Sequence, residues 1–264
     1  MAAPDWLREL LAWKSSANQK VIDVCDEPWA PNISDVDNKT SLRIAKSVLD
    51  DLGVSRKVSA NSSDAKEESR GTALENAVTV QLVSELPSLE PNRSWAVGRG
   101  KDVRNFEQYQ HLDELRMLLA ETPSLRVALG TDYQIAPDVT VALDVPGHPL
   151  HAVVSCKWTL RSDRAQNVRH EFNLLVRSRR GRTPHLVAVT TEPLPSRLAS
   201  LTRGTGEIDA VYHLAFEETQ AAVHAWGTVQ HKKSEPTQLE LWREMTEQNR
   251  LKDYNDLAGD LARL

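Results

Sequence analysis

Apolar residues follow two kinds of pattern along this chain, and the change comes near residue 125. In the first part they recur at helical spacing. Asp5 reads as the cap of a helix with Trp6, Leu7, Leu10 and Leu11 on one face. From about Ser41, the residues Ile44, Val48, Leu49 and Leu52 form an inward stripe that Gly53 stops. Leu74, Ala77, Val78, Leu82 and Leu86 repeat the pattern up to Pro87. Phe106, Tyr109, Leu112, Leu115 and Leu119 do so between about Asn105 and Ala120. Residues 26–40, with two prolines among Asn, Asp and Ser, read as loop, and 54–70 are polar.

The second part reads as strands alternating with helices. YQIAPDVTVALD (133–144) and LHAVVSCKW (150–158) are strand-like, and the turn-rich VPGHP between them predicts an antiparallel pair. Ser162 reads as the cap of a helix reaching about Arg180 and stopping at Gly181. HLVAVTTE (185–192) suits a strand buried on both faces. Pro193 and Pro195 introduce a short helix, AVYHLAF is a further strand, and EETQAAVHAW a further helix. The order β-β-α-β-α-β-α behind a helical N-terminal part predicts an α/β fold, a mixed central sheet flanked by helices. No repeat or linker divides the chain. Residues 1–264 are therefore expected to form one domain: a mainly helical part (1–125), an α/β core (126–230) and a C-terminal helical segment (231–264). The apolar periodicity of that last segment suits a core edge or an interface.

With 264 residues, the chain can bury a core without disulfides or metal staples. No run of about 18 apolar residues is present, so no membrane-spanning helix is expected. The first residues mix Asp5, Arg8 and Glu9 and do not read as a secretory signal. Two cysteines, Cys25 and Cys156, give neither a disulfide framework nor a zinc site, and the expected setting is a reducing cytoplasm.

Charge changes the picture more. The formal net charge of −5 argues against a protein that coats nucleic acid indiscriminately. Residues 155–182, however, hold eight Lys and Arg against Asp163 and Glu171, a net +6 that leaves −11 for the remainder. A basic segment on an acidic chain suits a specific polyanion site. A solvated helix face is the plainer reading.

The same region carries candidate chemistry: Asp138 at the first strand, Lys157 at the end of the next, and Glu171 on the following helix. Neighbouring strands would bring Asp138 and Lys157 together, with Glu171 above them. Carboxylates suit a hard divalent cation such as Mg²⁺, and the Cys156 carbonyl would add an oxygen. Such an ion would neutralise charge on a phosphodiester, and Lys157 would stabilise developing negative charge. Singly, the three are equally a turn residue, a solvated lysine and a surface ion-pair partner.

Pro137-Asp138, Ser155-Cys156-Lys157 and Glu171 resemble the rearranged PD-(D/E)xK site of type II restriction endonucleases that cut CCGG-containing sequences. Ser155 stands where the usual pattern has an acidic residue, and Glu171 replaces the lost carboxylate. SCKWTLRSDRAQN, NLLVRSRRGRTPHLVAVTTEPLPSR and GTGEIDAVYH resemble the NgoMIV type within that group. The resemblance is close over about 131–215, looser over 41–120 and weak at both termini.

The resemblance implies a restriction-endonuclease-like core with a five-stranded mixed sheet and Mg²⁺-dependent hydrolysis of both strands of double-stranded DNA. Asp138 and Glu171 would hold the metal with the Cys156 carbonyl, Lys157 would sit at the scissile phosphate, and Glu75, in RGTALENAV, would complete the site. Arg161, Asp163 and Arg164 would read the CCGG core. Their chemistry suits this, since Arg pairs with guanine and Asp accepts from cytosine. Arg197 would contact the outer G:C pair, which favours GCCGGC cut after the first G to leave 5′ CCGG overhangs. Its loop partner would be Ser34 or Asp37. Arg177, Arg179, Arg180 and Arg182 read as phosphate or interface charges. Trp158 reads as a buried aromatic beside the site. A homodimer is expected for a palindromic site, and a dimer of dimers is implied by the family. Two other readings remain: a repair or junction nuclease with the same metal site, and a non-catalytic DNA-binding regulator. The run of R-S-D-R and PLPSR argues against the first, and the intact Asp138, Lys157 and Glu171 against the second.

Overall fold

The computed structural model describes residues 2–56, 66–129, 135–204, 206–228 and 235–263. Most of the polar 54–70 stretch and the first two residues of the 133–144 strand expectation lie outside them. The N-terminal part contains α1 (Leu7–Leu10), β1 (Trp13–Ser15), α2 (Gln19–Cys25), β2 (Trp29–Pro31), α3 (Lys39–Asp51) and α4 (Lys66–Leu89). There follow β3 (Trp95–Arg99), α5 (Gln110–Glu121), α6 (Pro123–Leu129), β4 (Val139–Leu143), β5 (Leu150–Lys157) and α7 (Ser162–Ser178). The chain continues through β6 (His185–Thr190), α8 (Pro195–Thr202), β7 (Ala210–His213), α9 (Phe216–Trp226), α10 (Gln238–Glu247), β8 (Leu251–Asp253) and α11 (Leu257–Arg263).

Six strands form one mixed sheet in the order β3-β4-β5-β6-β7-β8. The β3-β4 and β4-β5 pairs are antiparallel, and β5 through β8 are parallel. The α/β expectation therefore holds, with six strands among the described residues rather than five. The two strands that the chain's own apolar pattern did not show lie at the two edges. β3 is half-exposed along its whole length, and β8 is three residues long. Short or half-covered edge strands carry little alternation, which is why their sequences gave no strand signal. A separate two-stranded sheet, β1 with β2, falls partly in the segment expected to be loop.

Helix boundaries follow local chemistry. The Asn38 side chain accepts from the N–H groups of Thr40 and Ser41, so α3 begins two residues before the expected start. The first helix is capped at Trp6 rather than Asp5 and lasts only four residues. In α7, Ala165, Val168, Phe172 and Leu175 form the buried stripe. Arg164 and Glu171 flank it, at positions i−4 and i+3 from Val168. That edge placement keeps both polar side chains against the protein instead of in bulk water. Cys25 and Cys156 are both buried and unpaired. No helix among the described residues is long and apolar enough to cross a membrane.

The β4-β5 register is regular where it matters for the site: Val139 faces Val154, Thr140 faces Val153 and Val141 faces Ala152. Beyond Val141 it shifts, and Ala142 faces Leu150, leaving His151 as an extra residue in β5. His151 turns inward and donates through Nε2 to the Leu261 carbonyl at 2.9 Å. The far end of β5 is fixed by Gln108, which is buried. Its amide donates to the Leu150 carbonyl at 2.8 Å and its carbonyl accepts from the Leu150 N–H at 2.9 Å. Gln108→Ala strands both main-chain groups in the interior and is expected to cost about 2–4 kcal/mol. Urea denaturation measures this, and a loss well under 1 kcal/mol would mean that water replaces the amide.

Candidate active site

Asp138 directly precedes β4, so the antiparallel register continues it opposite Ser155. Three donors gather on its Oδ2: the Ser155 hydroxyl at 3.2 Å, the Cys156 N–H at 2.7 Å and Lys157 Nζ at 2.7 Å. Oδ1 accepts none of them. Ser155 is buried, and a carboxylate there would meet that of Asp138 head-on. A hydroxyl donates to it instead. β5 is buried until Lys157, where its final residue emerges toward solvent.

Glu171 comes within electrostatic reach of both. Burial, reinforced by the Asp138 charge and only partly opposed by Lys157, pushes its carboxyl from 4.5 up to about 7. Burial works to lower the Lys157 pKa. The Asp138 charge and hydrogen bond, aided by Glu171, outweigh it, so the ammonium is held above its ordinary value. Two carboxylates whose charges oppose each other, beside a fixed ammonium, form a hard oxygen donor set that suits a divalent cation with retained waters. Among the described residues no group of three or more His, Cys, Asp and Glu is gathered closely enough to hold a metal. Asp138 and Glu171 are the two carboxylates of this site that could supply ligands.

Glu75 lies on α4 beside the buried Leu74. Its Oε2 accepts from Arg99 Nε at 3.2 Å and Nη2 at 2.5 Å. Arg99 ends β3 and faces Val139. The charges of Glu75 and Arg99 both act on the Cys156 thiol, which burial raises well above its ordinary pKa. Glu75 therefore stands near the site but is turned onto Arg99, a partner that the sequence pattern did not suggest.

At Trp158 and Thr159, the residues that follow Lys157, opens a cleft of about 560 Å³. Lys14, Arg70, Arg161, Arg164 and Arg197 line it, against only two acidic residues, Asp35 and Asp37. Trp158 lines it too, and is mostly buried, as expected. Arg161 is the N-cap of α7 and no side chain caps that helix, so Ser162 is its first residue rather than its cap. The turn before it is fixed from elsewhere: the Leu160 N–H donates to Glu192 at 2.7 Å. Arg164 donates to the Thr159 carbonyl and hydroxyl at 3.4 and 3.3 Å. Asp163 is exposed in the first turn of α7, outside the cleft wall.

Ser34 and Asp37 both line the cleft, but neither bonds to Arg197. Ser34 donates to the Pro31 carbonyl at 2.8 Å, and Asp37 pairs with Lys20 at 3.5 Å. The ion-pair partner of Arg197 is Asp35. Its N–H donates to Ser41 at 2.9 Å. The pair joins residues 162 apart, and no local pattern could have selected it.

The basic segment 155–182 does not form one patch. The 17-residue α7 is about 25 Å long. It carries Arg161 and Arg164 at the cleft and delivers Arg180 and Arg182 to the opposite end of β5, around Gln108, Leu150 and His151. Helix length therefore divides the single polyanion site suggested by composition.

Comparison with known proteins gives a consistent family. The family model described as NgoMIV restriction enzyme matches residues 13–145 and 143–263. The chain is 39% identical over 189 residues to the type II restriction enzyme NgoMIV of Neisseria gonorrhoeae, an alignment covering 61% of this chain and 64% of that relative. Among solved structures, the pre-specific restriction endonuclease BsaWI in its DNA complex matches at 12% identity and a TM-score of 0.38, over 86% of this chain and 76% of that one. The Bse634I restriction endonuclease matches at 16% identity and a TM-score of 0.38, over 83% and 90%.

The opposed carboxylates give a test. Below pH about 4.5 Glu171 is protonated whether folded or unfolded, and it costs nothing. As pH rises to 7 the unfolded chain ionises first, so the folded state loses stability, fully above 7. Glu171→Gln in the metal-free protein is expected to stabilise by up to about 3 kcal/mol at pH 8 and by nothing at pH 4. Denaturation in EDTA at the two pH values measures it, and coincident curves at pH 8 would mean that neither burial nor the Asp138 charge disfavours the ionised Glu171.

Proposed function

The chain belongs to the NgoMIV restriction enzyme family, and we propose on that premise that it is a type II site-specific deoxyribonuclease hydrolysing both strands of double-stranded DNA. One observation carries the proposal: Asp138 Oδ2 and Lys157 Nζ lie 2.7 Å apart, with Glu171 in electrostatic reach, and the turn that follows Lys157 runs directly into the wall of an arginine-lined cleft at Trp158, Thr159 and Arg161. The cation implied is Mg²⁺, held by Asp138, Glu171 and the Cys156 carbonyl, where it would supply charge neutralisation and a more acidic bound water. Lys157 stays protonated beside Asp138 and offers a fixed positive charge to the pentavalent phosphate. Water attacks phosphorus, the bond to the 3′ oxygen breaks, and the products carry 5′-phosphate and 3′-hydroxyl ends. Asp138 orients Lys157 through their hydrogen bond. Glu75, held by Arg99, contributes negative charge from the neighbouring helix.

For recognition, Arg161, Asp163 and Arg164 sit at the uncapped start of α7, where side chains can meet base edges in a major groove. We assign them the CCGG core and Arg197 the outer G:C pair, giving GCCGGC cut after the first G with 5′ CCGG overhangs. The loop bearing Ser34, Asp35 and Asp37 flanks Arg197, and Asp35 is its nearest charged member. A palindrome calls for a homodimer, each subunit reading one half, and the proposed assembly extends to a dimer of dimers.

Plasmid DNA containing CCGG in every outer context tests the whole reading. Discrete, EDTA-sensitive cutting is expected, with sequenced ends giving the site, the position and the stagger. A non-specific smear would favour a repair nuclease, and binding without cutting a regulator. Lys157→Ala is expected to reduce cleavage by at least about a thousandfold while keeping site binding, since it removes charge only from the reacting phosphate. Unchanged cutting would remove Lys157 from the chemistry.

A further inference from the structure

Glu192 is the most deeply buried carboxylate in the described chain, with no exposed surface, and it takes no part in the chemistry above. Its surroundings explain its presence. Oε2 accepts from the Leu160 N–H at 2.7 Å, one residue before Arg161. Oε1 accepts from the Leu194 N–H at 3.1 Å, the residue that caps α8. Arg197 Nη1 stands 3.8 Å from Oε2, while its Nη2 holds Asp35. The backbone of Glu192 is equally fixed. Its N–H donates to the Thr190 hydroxyl at 3.2 Å, and its carbonyl accepts from His213 Nε2 at 3.1 Å. His213 Nδ1 accepts from the Ala215 N–H, so Nε2 must carry the proton. Next to it, the Thr191 hydroxyl donates to the Trp158 carbonyl at 2.6 Å. Residues 191 and 192 thus grip both sides of Thr159, in the turn that joins Lys157 to Arg161.

We propose that Glu192 is a positioning residue for sequence discrimination: its buried carboxylate sets the turn leading into Arg161–Arg164 and the helix bearing Arg197 in one fixed relative placement. The inference rests on the reading of those arginines as base contacts. An ordinary structural carboxylate would satisfy neighbours within one segment. Glu192 instead joins three that line the same cleft wall: the β5–α7 turn, the start of α8 and, through Arg197, the Asp35 loop. Base readers need placement within a fraction of an ångström, and a two-oxygen acceptor couples two of them as a unit. Phosphate contacts tolerate looser placement, so non-specific affinity does not depend on the link.

Protonation supplies a second handle. Burial pushes the Glu192 carboxyl up to about 7, against the pull of the Leu160 N–H, Arg197 and the Leu194 N–H. Arg197 from α8, Asp35 from the loop and His213 from β7 are the charged or titratable groups facing it, and burial holds His213 down at about 4. Between pH 6 and 8, Glu192 is the member of this group that changes charge.

The test is equilibrium binding of the full chain, with Ca²⁺ replacing Mg²⁺, to four short duplexes: GCCGGC, the same with its outer pair changed, the same with a core pair changed, and an unrelated sequence. At pH 8 the wild type is expected to prefer GCCGGC over both changed duplexes. Glu192→Gln keeps the shape but offers one acceptor oxygen and no charge. It is expected to lose at least about tenfold of that preference at outer and core positions together, with affinity for the unrelated duplex unchanged. The wild-type preference is expected to fall from pH 8 to pH 6 more steeply than that of the variant, in which Glu171 still titrates in that range but position 192 does not. A variant that keeps the full preference overturns the inference. If the variant does not fold, the wild-type profile decides, and a preference constant from pH 6 to 8 overturns it equally. A wild type with no preference for any duplex overturns the restriction reading itself, and the inference with it, a result distinct from either of these.

Discussion

The site depends on how β4 lies against β5. Side chains alternate across a strand, so a slip of one residue would send every group to the opposite face. In the observed register Asp138 continues opposite Ser155, and one carboxylate oxygen collects a hydroxyl, an amide and an ammonium from three consecutive residues. The position of Lys157 follows from this, and with it the start of the turn that carries the arginines into the cleft. Glu171 then needs only a place on the edge of the apolar stripe of α7 to come within reach.

The arrangement carries a standing electrostatic cost. Asp138 and Glu171 oppose each other, and the ammonium of Lys157 offsets only part of that opposition. Active sites often hold such unrelieved tension, because a group poised between two charge states responds to a third charge when it arrives. The arginine-lined wall of the cleft is built on a different balance. Arg197 is paired with Asp35 and stands beside Glu192, so its guanidinium is held in one place at the cleft surface.

Much of this was readable before any coordinates. The apolar runs of β4, β5 and β6, bounded by turn residues, gave their positions and the antiparallel pair. The stripe through Val168 and Phe172 gave α7. Together these predicted a meeting of Asp138, Lys157 and Glu171; the first two lie 2.7 Å apart and Glu171 is in electrostatic reach of them. What escaped reading has a common cause. β3 and β8 are edge strands whose half-covered or very short sequences lack a period. Asp35 and Glu192 act across long sequence separations, and each looks like an ordinary acidic residue in its own neighbourhood. Arg99 on Glu75 is the same case. Composition misled once: a dense basic run looked like one site, but the rise of a helix carries its ends apart.

The bulge at His151 has a consequence for change in this chain. The irregular step in the β4-β5 ladder falls on the side away from Asp138, between the site and the VPGHP connection. His151 and Gln108 anchor β5 on that side independently of the turn. Length variation in the connection can therefore be absorbed at the irregular step, as play in a coupling, before it displaces the paired segment at Val139 and Val154. The tip itself is held separately, by the Glu107 N–H donating to the Gly147 carbonyl at 3.0 Å, so the spacing of acid and amine is insulated from it.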